Sequence, residues 1–133
     1  GFSDMPMNHK IFLAQFDAIK KLAGEGPCVM VGRCADYALA DYKDCFSVFV
    51  HADFDWRINR IAAKYNKTPK EARDIITKTD KSRASYYNYY TNKKWGSAKS
   101  YNLCIDSSKY GIDNTVKAIV ESIKIFDSTK ASR

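Results

Sequence analysis

The sequence has no long apolar run, no closely spaced cysteine pair, and only six glycines and three prolines. No apolar stretch approaches the roughly 18 residues that a membrane-crossing helix needs. Residues 1–9 also lack the basic and then apolar layout of a signal peptide. We therefore expect a cytoplasmic protein that does not span a membrane.

The four cysteines, Cys28, Cys34, Cys45 and Cys104, show no C-x-x-C spacing. Without that spacing, and in a reducing compartment, they are expected to be free thiols rather than disulfides or zinc ligands. The two histidines, His9 and His51, lie far apart, and the sequence contains neither a Ser/His/Asp order nor G-x-S-x-G. Histidine-based catalysis and a metal site are thus not expected.

The composition is that of a globular protein, because 45% of the 133 residues are hydrophobic. This length fits one domain with a modest core. The formal charge of +7 favours an anionic partner, which the charge alone leaves open as nucleic acid, a membrane surface or a nucleotide phosphate. A lysine-rich solvated surface accounts for part of it as well.

Apolar patterns of helical and strand type alternate along the chain, which predicts an α/β fold with a parallel sheet covered on both faces. Helices are expected from Asn8 to Ala23 and from Asp53, as N-cap, to about Tyr65. Thr68-Pro69-Lys70-Glu71 is a capping box that should start a long helix to about residue 90. Three strands are predicted, near residues 28–32, 46–51 and 101–106, with a short helix at 35–40 and a last helix along Ile112, Val116, Ile119, Val120 and Ile123.

Arginines follow the predicted strand ends, where open α/β sheets bind ligands. Arg33 comes directly after Gly32 at the end of the first strand, so its guanidinium either grips a phosphate or caps a surface turn. Arg57 and Arg60 lie near the start of the helix after the second strand, with Lys64 on the same stripe. Ile58, Ile61, Ala62 and Tyr65 form the predicted buried stripe of that helix.

The long helix is expected to gather Ala72, Ile75, Ile76, Thr79, Tyr86, Tyr87 and Tyr90 on one inward face. Arg83 falls in the middle of this face, and a buried charge is costly without a partner. Asp80, three residues earlier, is the predicted partner. The pair is either purely structural or holds Arg83 toward a phosphate. The tyrosines of Ser85–Tyr90 either close a small core or form a base-stacking platform with Trp95.

Several of these segments, in this order, resemble the cytidylate-kinase-like family of bacteria over roughly residues 8–126. They are Gly26-Pro-Cys-Val-Met-Val-Gly-Arg-Cys-Ala-Asp36, Phe46-Ser-Val-Phe-Val-His-Ala52, Asp80-Lys-Ser-Arg83-Ala-Ser-Tyr-Tyr87, Lys94-Trp-Gly96 and Tyr101-Asn-Leu-Cys-Ile-Asp-Ser-Ser108. The resemblance implies a P-loop nucleoside-monophosphate kinase fold, here a three-layer parallel sheet with flanking helices. It makes residues 1–133 a single partial domain, with a lid helix at about 68–91 and a closing strand and C-terminal helix at 101–126.

The resemblance also implies the roles of individual residues. Gly32, Arg33, Asp36 and Arg60 would bind the nucleoside monophosphate, and Arg83, Arg57 and Asp80 would act on the transferred phosphoryl group. Arg33 is followed by Cys34, where the family has aspartate, and Lys78 and Lys81 stand where the family has lid arginines. The base of the acceptor therefore stays open.

No G-x-x-x-x-G-K-[ST] occurs in the sequence, although such a loop holds the ATP phosphates in this family. ATP and Mg²⁺ are expected for the complete enzyme, and this chain is expected to be inactive alone. The first strand and phosphate loop are expected to be missing, and a homodimer that covers the exposed sheet edge is one consequence. The alternative is a non-catalytic nucleic-acid-binding module or scaffold subunit that uses the basic face and the tyrosine run. The expected partner is a nucleoside monophosphate, and neither nucleic acid nor a membrane.

Overall fold

The computed structural model describes residues 5–132 of the chain. It consists of two compact units, divided after Cys45, and each is described here by itself. The combination is a helix-rich α/β structure with a small parallel sheet. The expectation of one domain over residues 1–133 stays a prediction.

The first unit is built from a long and a short helix. Helix α1 spans Met5–Glu25 and helix α2 spans Ala35–Ala38. Ile19 of α1 packs against Ala35, Ala38 and Leu39, and all four side chains are buried. Both helices agree with the sequence prediction, because their apolar residues recur at helical spacing.

The segment between these helices is not the predicted strand. Residues 28–31 have no regular secondary structure, and Val29 and Val31 are 94% and 89% exposed. The prediction of a strand at residues 28–32 is therefore wrong. A β-strand has no internal hydrogen bonds and forms only beside another strand, and the described part of this unit contains none.

The second unit contains the sheet, which has two parallel strands in the described part of the chain. Strand β1, Val48–His51, pairs with strand β2, Leu103–Asp106, so that Val48 faces Leu103 and His51 faces Asp106. Ser47 and Asn102 fix the start of the pairing, because the Ser47 backbone N–H donates to Asn102 Oδ1 at 2.8 Å. The predicted parallel arrangement of these strands is confirmed.

Two helices connect the strands and begin where the sequence predicts. Helix α3 spans Phe54–Tyr65, and its N-cap Asp53 accepts from the Trp56 N–H at 3.2 Å. Helix α4 spans Pro69–Thr91, with reciprocal capping-box bonds between Thr68 and Glu71 of 3.1 and 3.2 Å. These bonds satisfy amide groups that have no partner inside the helix.

The contact between α3 and α4 is a narrow apolar seam. Ile58, Ala72 and Ile76 are buried in it, with Ile61 and Ala62 packed alongside. Tyr65 is 55% exposed and Ile75 is 41% exposed, so both were wrongly assigned to the buried faces. The helices meet along a line of small and branched side chains. Ile75 lies one position off that line, and Tyr65 is the last residue of α3.

After β2 the chain forms two more helices, α5, Ser107–Tyr110, and α6, Ile112–Ser128. Helix α6 buries Thr115 and packs Phe126 against Phe46, with the ring centroids 5.0 Å apart and the rings tilted by 57°. Much of its predicted apolar line is at the surface, since Ile112, Val116, Val120 and Ile123 are 42, 55, 44 and 38% exposed. The expected homodimer stays a prediction. Among residues 5–132, no helix combines the length and apolarity needed to cross a bilayer.

An aromatic cluster holds the loop after α4 against the sheet. The Phe49 ring lies 5.3 Å from Trp95, edge to face, and 5.0 Å from Tyr101. Tyr101 also stacks on Tyr87, which is buried, whereas Tyr89 is 63% exposed. Gly96 has a φ of +81°, and an added Cβ would lie 3.3 Å from the Phe49 ring.

Replacing Gly96 with alanine is expected to destabilise the second unit by about 1–3 kcal/mol. A side chain at positive φ costs about 1–2 kcal/mol, and the close Phe49 ring adds to it. Urea unfolding followed by tryptophan fluorescence measures the change. Gly24→Ala is the control, because Gly24 lies in α1 with nothing within 4 Å. An equal loss for both variants would contradict the proposed fit of Gly96.

Candidate functional site

An ion pair joins α3 and α4 in the second unit. Arg57, in the first turn of α3, donates from Nη1 to Asp80 Oδ2 and from Nη2 to Asp80 Oδ1, both at 2.7 Å. The side chains are 31% and 28% exposed, so water is partly excluded from the pair. Two parallel charge-assisted bonds fix the plane of the guanidinium as well as its position.

The charge of Arg57 is secure in this arrangement. The Asp80 hydrogen bonds raise the pKa of Arg57 above its usual value, although partial burial acts in the opposite direction. The negative charge of Asp80 adds to the increase. Arg57 is therefore a fixed cation in the helix turn that follows the carboxyl end of β1.

Asp80 does not pair with Arg83 as the sequence predicted. Both Asp80 carboxylate oxygens accept from Arg57, and Arg83 is exposed one turn further along α4. The assignment of Arg83 to the middle of a buried face was also wrong. A helical wheel displays neighbours within one helix only, and the stronger partner of Asp80 comes from another helix.

Arg60 lies over an aromatic ring on the outer side of α3. Its guanidinium carbon is 5.7 Å from the centroid of the Trp56 ring. Trp56, Arg60 and Lys64 line an open groove together with Asn59 and Ala63. A cation stacked on tryptophan keeps its charge and remains available to an anion at its edge. The structure thus gives Arg60 surroundings distinct from those of Arg57.

The carboxyl ends of β1 and β2 carry a second polar cluster, which the sequence prediction did not include. Ser108 Oγ donates to Asp106 and accepts from the Asp53 backbone N–H at 3.0 Å. Ser107 Oγ donates to the His51 carbonyl at 3.2 Å. The signal was present in the Asp-Ser-Ser that follows a strand, because short polar residues there cap the next helix.

These bonds change the acidity of Asp106. The Ser108 hydroxyl bond lowers the pKa of Asp106, with smaller contributions from the Ser108 and Lys109 amides and from the electrostatic interaction with His51. Burial opposes the decrease. Asp106 therefore stays ionised at neutral pH and ties the two strand ends together.

In the first unit, the predicted binding residues form a left-handed turn. Gly32, Arg33 and Cys34 have φ values of +70°, +59° and +57°. This conformation is disfavoured for the two non-glycine residues, and such backbone persists where neighbouring packing enforces it. Cys34 is 6% exposed, and the Ala35 N–H closes the turn on the Gly32 carbonyl at 3.1 Å. Arg33 is directed outward as an exposed side chain.

Burial favours the protonated thiol at Cys34 and Cys45. Burial and the nearby negative charge of Asp36 raise the pKa of Cys34 to about 11. The same two causes, with Cys28, raise the pKa of Cys45. All four cysteines are free, as the sequence predicted. The turn therefore offers Arg33 and Asp36 as its charged groups rather than a nucleophilic sulfur.

The structure brings some of the predicted site residues together. Arg57 and Asp80 are in direct contact, and Arg83 follows Asp80 on the same helix. Gly32, Arg33 and Asp36 belong to the first unit. The convergence of Arg33, Arg57 and Arg83 on one phosphate stays a prediction.

Comparison with known proteins shows the family of this chain and a solved structure of similar fold. Residues 1–109 match the cytidylate kinase-like family. A crystal structure described as an uncharacterized protein from Eubacterium ventriosum ATCC 27560 is 33% identical, with a TM-score of 0.83 over 86% of this chain. The chain spans 65% of the length of that protein. The comparison with curated proteins gave no match.

The Arg57–Asp80 contact is expected to contribute a coupling free energy of about 1 kcal/mol to stability, as a bidentate pair that is partly shielded from water. The measurement is a double-mutant cycle of Arg57→Gln and Asp80→Asn in urea. The matched cycle of Arg83→Gln and Asp80→Asn should give coupling near zero. A coupling free energy of equal size between Asp80 and Arg83 would mean that Asp80 pairs with Arg83, as the sequence predicted, and would contradict the pair with Arg57.

Removal of the Ser108 hydroxyl is expected to raise the pKa of Asp106. Because the folded pKa is held below the unfolded value of about 3.9, the pair stabilises the fold at neutral pH. That stabilisation is lost as pH falls through the folded pKa. Carboxyl ¹³C NMR titration of wild type and Ser108→Ala measures the shift.

Ser122→Ala is the control for this titration, since Ser122 donates to the Ala118 carbonyl at 2.8 Å inside α6 and touches no carboxylate. It should leave the titration of Asp106 unchanged. An unchanged pKa in Ser108→Ala would mean that another neighbour holds Asp106 ionised.

Proposed function

Because this chain belongs to the cytidylate kinase-like family, we propose that it carries the acceptor-binding and lid regions of a nucleoside-monophosphate kinase. The acceptor is a CMP-like nucleotide, and the donor of the phosphoryl group is ATP. Membership implies a nucleotide kinase-like function, and the specific substrate and reaction are our proposal.

The observation that carries this proposal is the fixed cation at Arg57. Phosphoryl transfer needs little covalent chemistry from the protein, so its demands are positioning and neutralisation of negative charge. Arg57 is held in a defined plane beside the carboxyl edge of the sheet, and Arg83 adds an exposed cation on the neighbouring helix. We assign both to the site of phosphoryl transfer, where they meet the acceptor phosphate as well as the group transferred to it.

The left-handed turn at Gly32–Cys34 supports the acceptor part of the proposal. Strained backbone persists only where the surrounding packing maintains it, and it is found preferentially at functional sites. The turn presents Arg33 outward and is anchored by the buried Cys34. We assign Arg33 to the acceptor phosphate, with Gly32 and Asp36 shaping its approach and Arg60 as a further acceptor contact.

The described residues of this chain show no built site for Mg²⁺ or for the ATP phosphates. The sequence contains no G-x-x-x-x-G-K-[ST], and the described residues hold no group of three His, Cys, Asp or Glu side chains suited to a metal. We propose that both ATP and Mg²⁺ are bound in the complete enzyme, whose sheet is the three-layer parallel sheet of P-loop kinases.

The packing of the tyrosines argues against the nucleic-acid alternative. A single-strand binding surface needs aromatic faces open to successive bases. Tyr87 is instead buried against Tyr101, and Tyr90 contacts both Tyr86 and Tyr89, with ring centroids 4.7 and 4.8 Å away. These rings pack mainly on one another. The proposed nucleotide site depends on the arginines and not on these tyrosines.

The chain is expected to bind CMP and to lose about tenfold in affinity in Arg83→Gln or Arg33→Gln, because each removes a charged hydrogen-bond partner of the phosphate. Isothermal titration calorimetry with CMP and cytidine measures both ligands. Cytidine, without a phosphate, should be unaffected by either change. Arg73→Gln is the control, since Arg73 is an arginine of α4 that lies 5.6 Å over the Phe54 ring. Equal losses in all three variants would indicate general charge attraction and contradict the assigned site.

The 133-residue chain alone is expected to give background rates in a coupled kinase assay with CMP, dCMP, UMP and AMP. Positioning of the ATP phosphates supplies most of the rate in this reaction class, and these residues do not supply it. The positive control is a longer protein with the full length of the structural relative, which should show turnover. Turnover by the chain alone would mean that its own residues form an ATP site.

A further inference from the structure

The guanidinium of Arg57 has a second binding edge that Asp80 leaves open. A guanidinium carries five N–H donors arranged as an end formed by Nη1 and Nη2 and a side formed by Nε and Nη2. Asp80 occupies the end, through Nη1 and Nη2 at 2.7 Å each. Within the described part of the chain, the Nε–H of Arg57 donates to no acceptor. One planar group thus has space for a carboxylate and for an oxyanion at once.

We propose that Asp80 is a positioning residue, which fixes Arg57 with its side edge toward the phosphate and does not itself touch the nucleotide. The inference rests on the proposed function and changes the role of Asp80 within it. The sequence had grouped Asp80 with the residues that act on the phosphoryl group. Both of its carboxylate oxygens accept from Arg57, which leaves the arginine as the group that meets the ligand.

The helices that carry the pair are firmly packed, which makes the positioning effective. Arg57 precedes Ile58, which is 4% exposed in the seam with Ala72 and Ile76 of α4. Asp80 lies one turn beyond Ile76 on the same helix. Because both backbones are fixed, the pair has one dominant geometry, and an anion that binds Arg57 need not order its long side chain.

Asp80 also has an unfavourable effect, since its negative charge repels an anion bound at Arg57. When Arg57 is present, its positive charge offsets this repulsion. The main effect of Asp80 on anion binding is then that it orders the Arg57 side chain. Without Arg57 only the repulsion remains. The effect of removing the Asp80 charge should therefore change sign between the two backgrounds, and a direct contact between Asp80 and the nucleotide would not produce such a reversal.

The experiment is calorimetric titration of CMP, cytidine and inorganic phosphate against four proteins: wild type, Asp80→Asn, Arg57→Gln and the double variant. With Arg57 present, Asp80→Asn should weaken CMP binding by about 3- to 10-fold, the effect of one side chain that must be ordered. In the Arg57→Gln background, Asp80→Asn should tighten CMP binding, because only the repulsion by Asp80 is then removed. Cytidine affinity should be the same in all four proteins.

Two further variants separate positioning from a general loss of charge or fold. Asp80→Glu keeps a carboxylate that reaches Arg57 and should restore part of the CMP affinity. Asp74→Asn removes an exposed carboxylate from the same helix and should not weaken CMP binding. In ¹⁵N NMR without ligand, the Arg57 Nε–H signal should be sharp in wild type and Asp74→Asn and broadened in Asp80→Asn. An unbroadened signal there would overturn the inference.

The outcomes distinguish the inference from the function on which it rests. Weaker binding of both CMP and cytidine on Asp80→Asn, in both backgrounds, would make Asp80 a nucleoside contact and overturn the inference alone. The same follows if Arg57→Gln and Arg83→Gln weaken CMP binding while Asp80→Asn has no effect. A wild-type chain that binds neither CMP nor inorganic phosphate would overturn the proposed function, and the inference with it.

Discussion

Two parallel strands, Val48–His51 and Leu103–Asp106, set the geometry of the residues that follow them. Parallel pairing brings both carboxyl ends to one edge, so the chain leaves β1 into α3 and leaves β2 into α5 at the same place. The Ser108 hydroxyl joins the two exits by bonding the Asp53 amide and the Asp106 carboxylate. Since Asp53 caps α3, this junction also determines where the first turn of α3, with Arg57, begins.

The ion pair between Arg57 and Asp80 connects the start of α3 to helix α4. In a chain of net charge +7, most cations can remain solvated at the surface without a fixed partner. Arg57 differs because a two-pronged carboxylate holds its plane while the helices around it exclude part of the water. An arginine ordered in this way suits an anion whose charge must be met in one orientation, as in phosphoryl transfer.

Two segments of the described chain expose apolar side chains that no other element covers. The stripe on α6 and the two valines of residues 28–31 lie open, although both segments have the composition of buried elements. Free-standing apolar faces of this kind are typical of interaction surfaces. The proposed substrate class, a nucleotide, comes from the family to which the chain belongs. The Arg57–Asp80 pair shows how residues of one unit could orient a cation toward the nucleotide's phosphate.

The sequence by itself determined the features that depend on near neighbours in the chain. The Asp53 cap, the Thr68–Glu71 capping box and the bounds of α4 follow from side chains within one helical turn of the amides they satisfy. The residues of β1 and β2 were also predictable from their short apolar runs. The resemblance of the ordered motifs to the family was confirmed, because it depends on spacing rather than on packing.

Only the tertiary structure decided the features that depend on distant neighbours. Residues 28–31 have strand composition but no adjacent strand in their unit, and strand composition alone supplies no hydrogen bonds. Asp80 has an arginine within reach on its own helix but bonds the one that α3 brings, which no helical wheel displays. Hydrophobic periodicity identifies a face, as on α6, but only the other elements determine whether that face is covered.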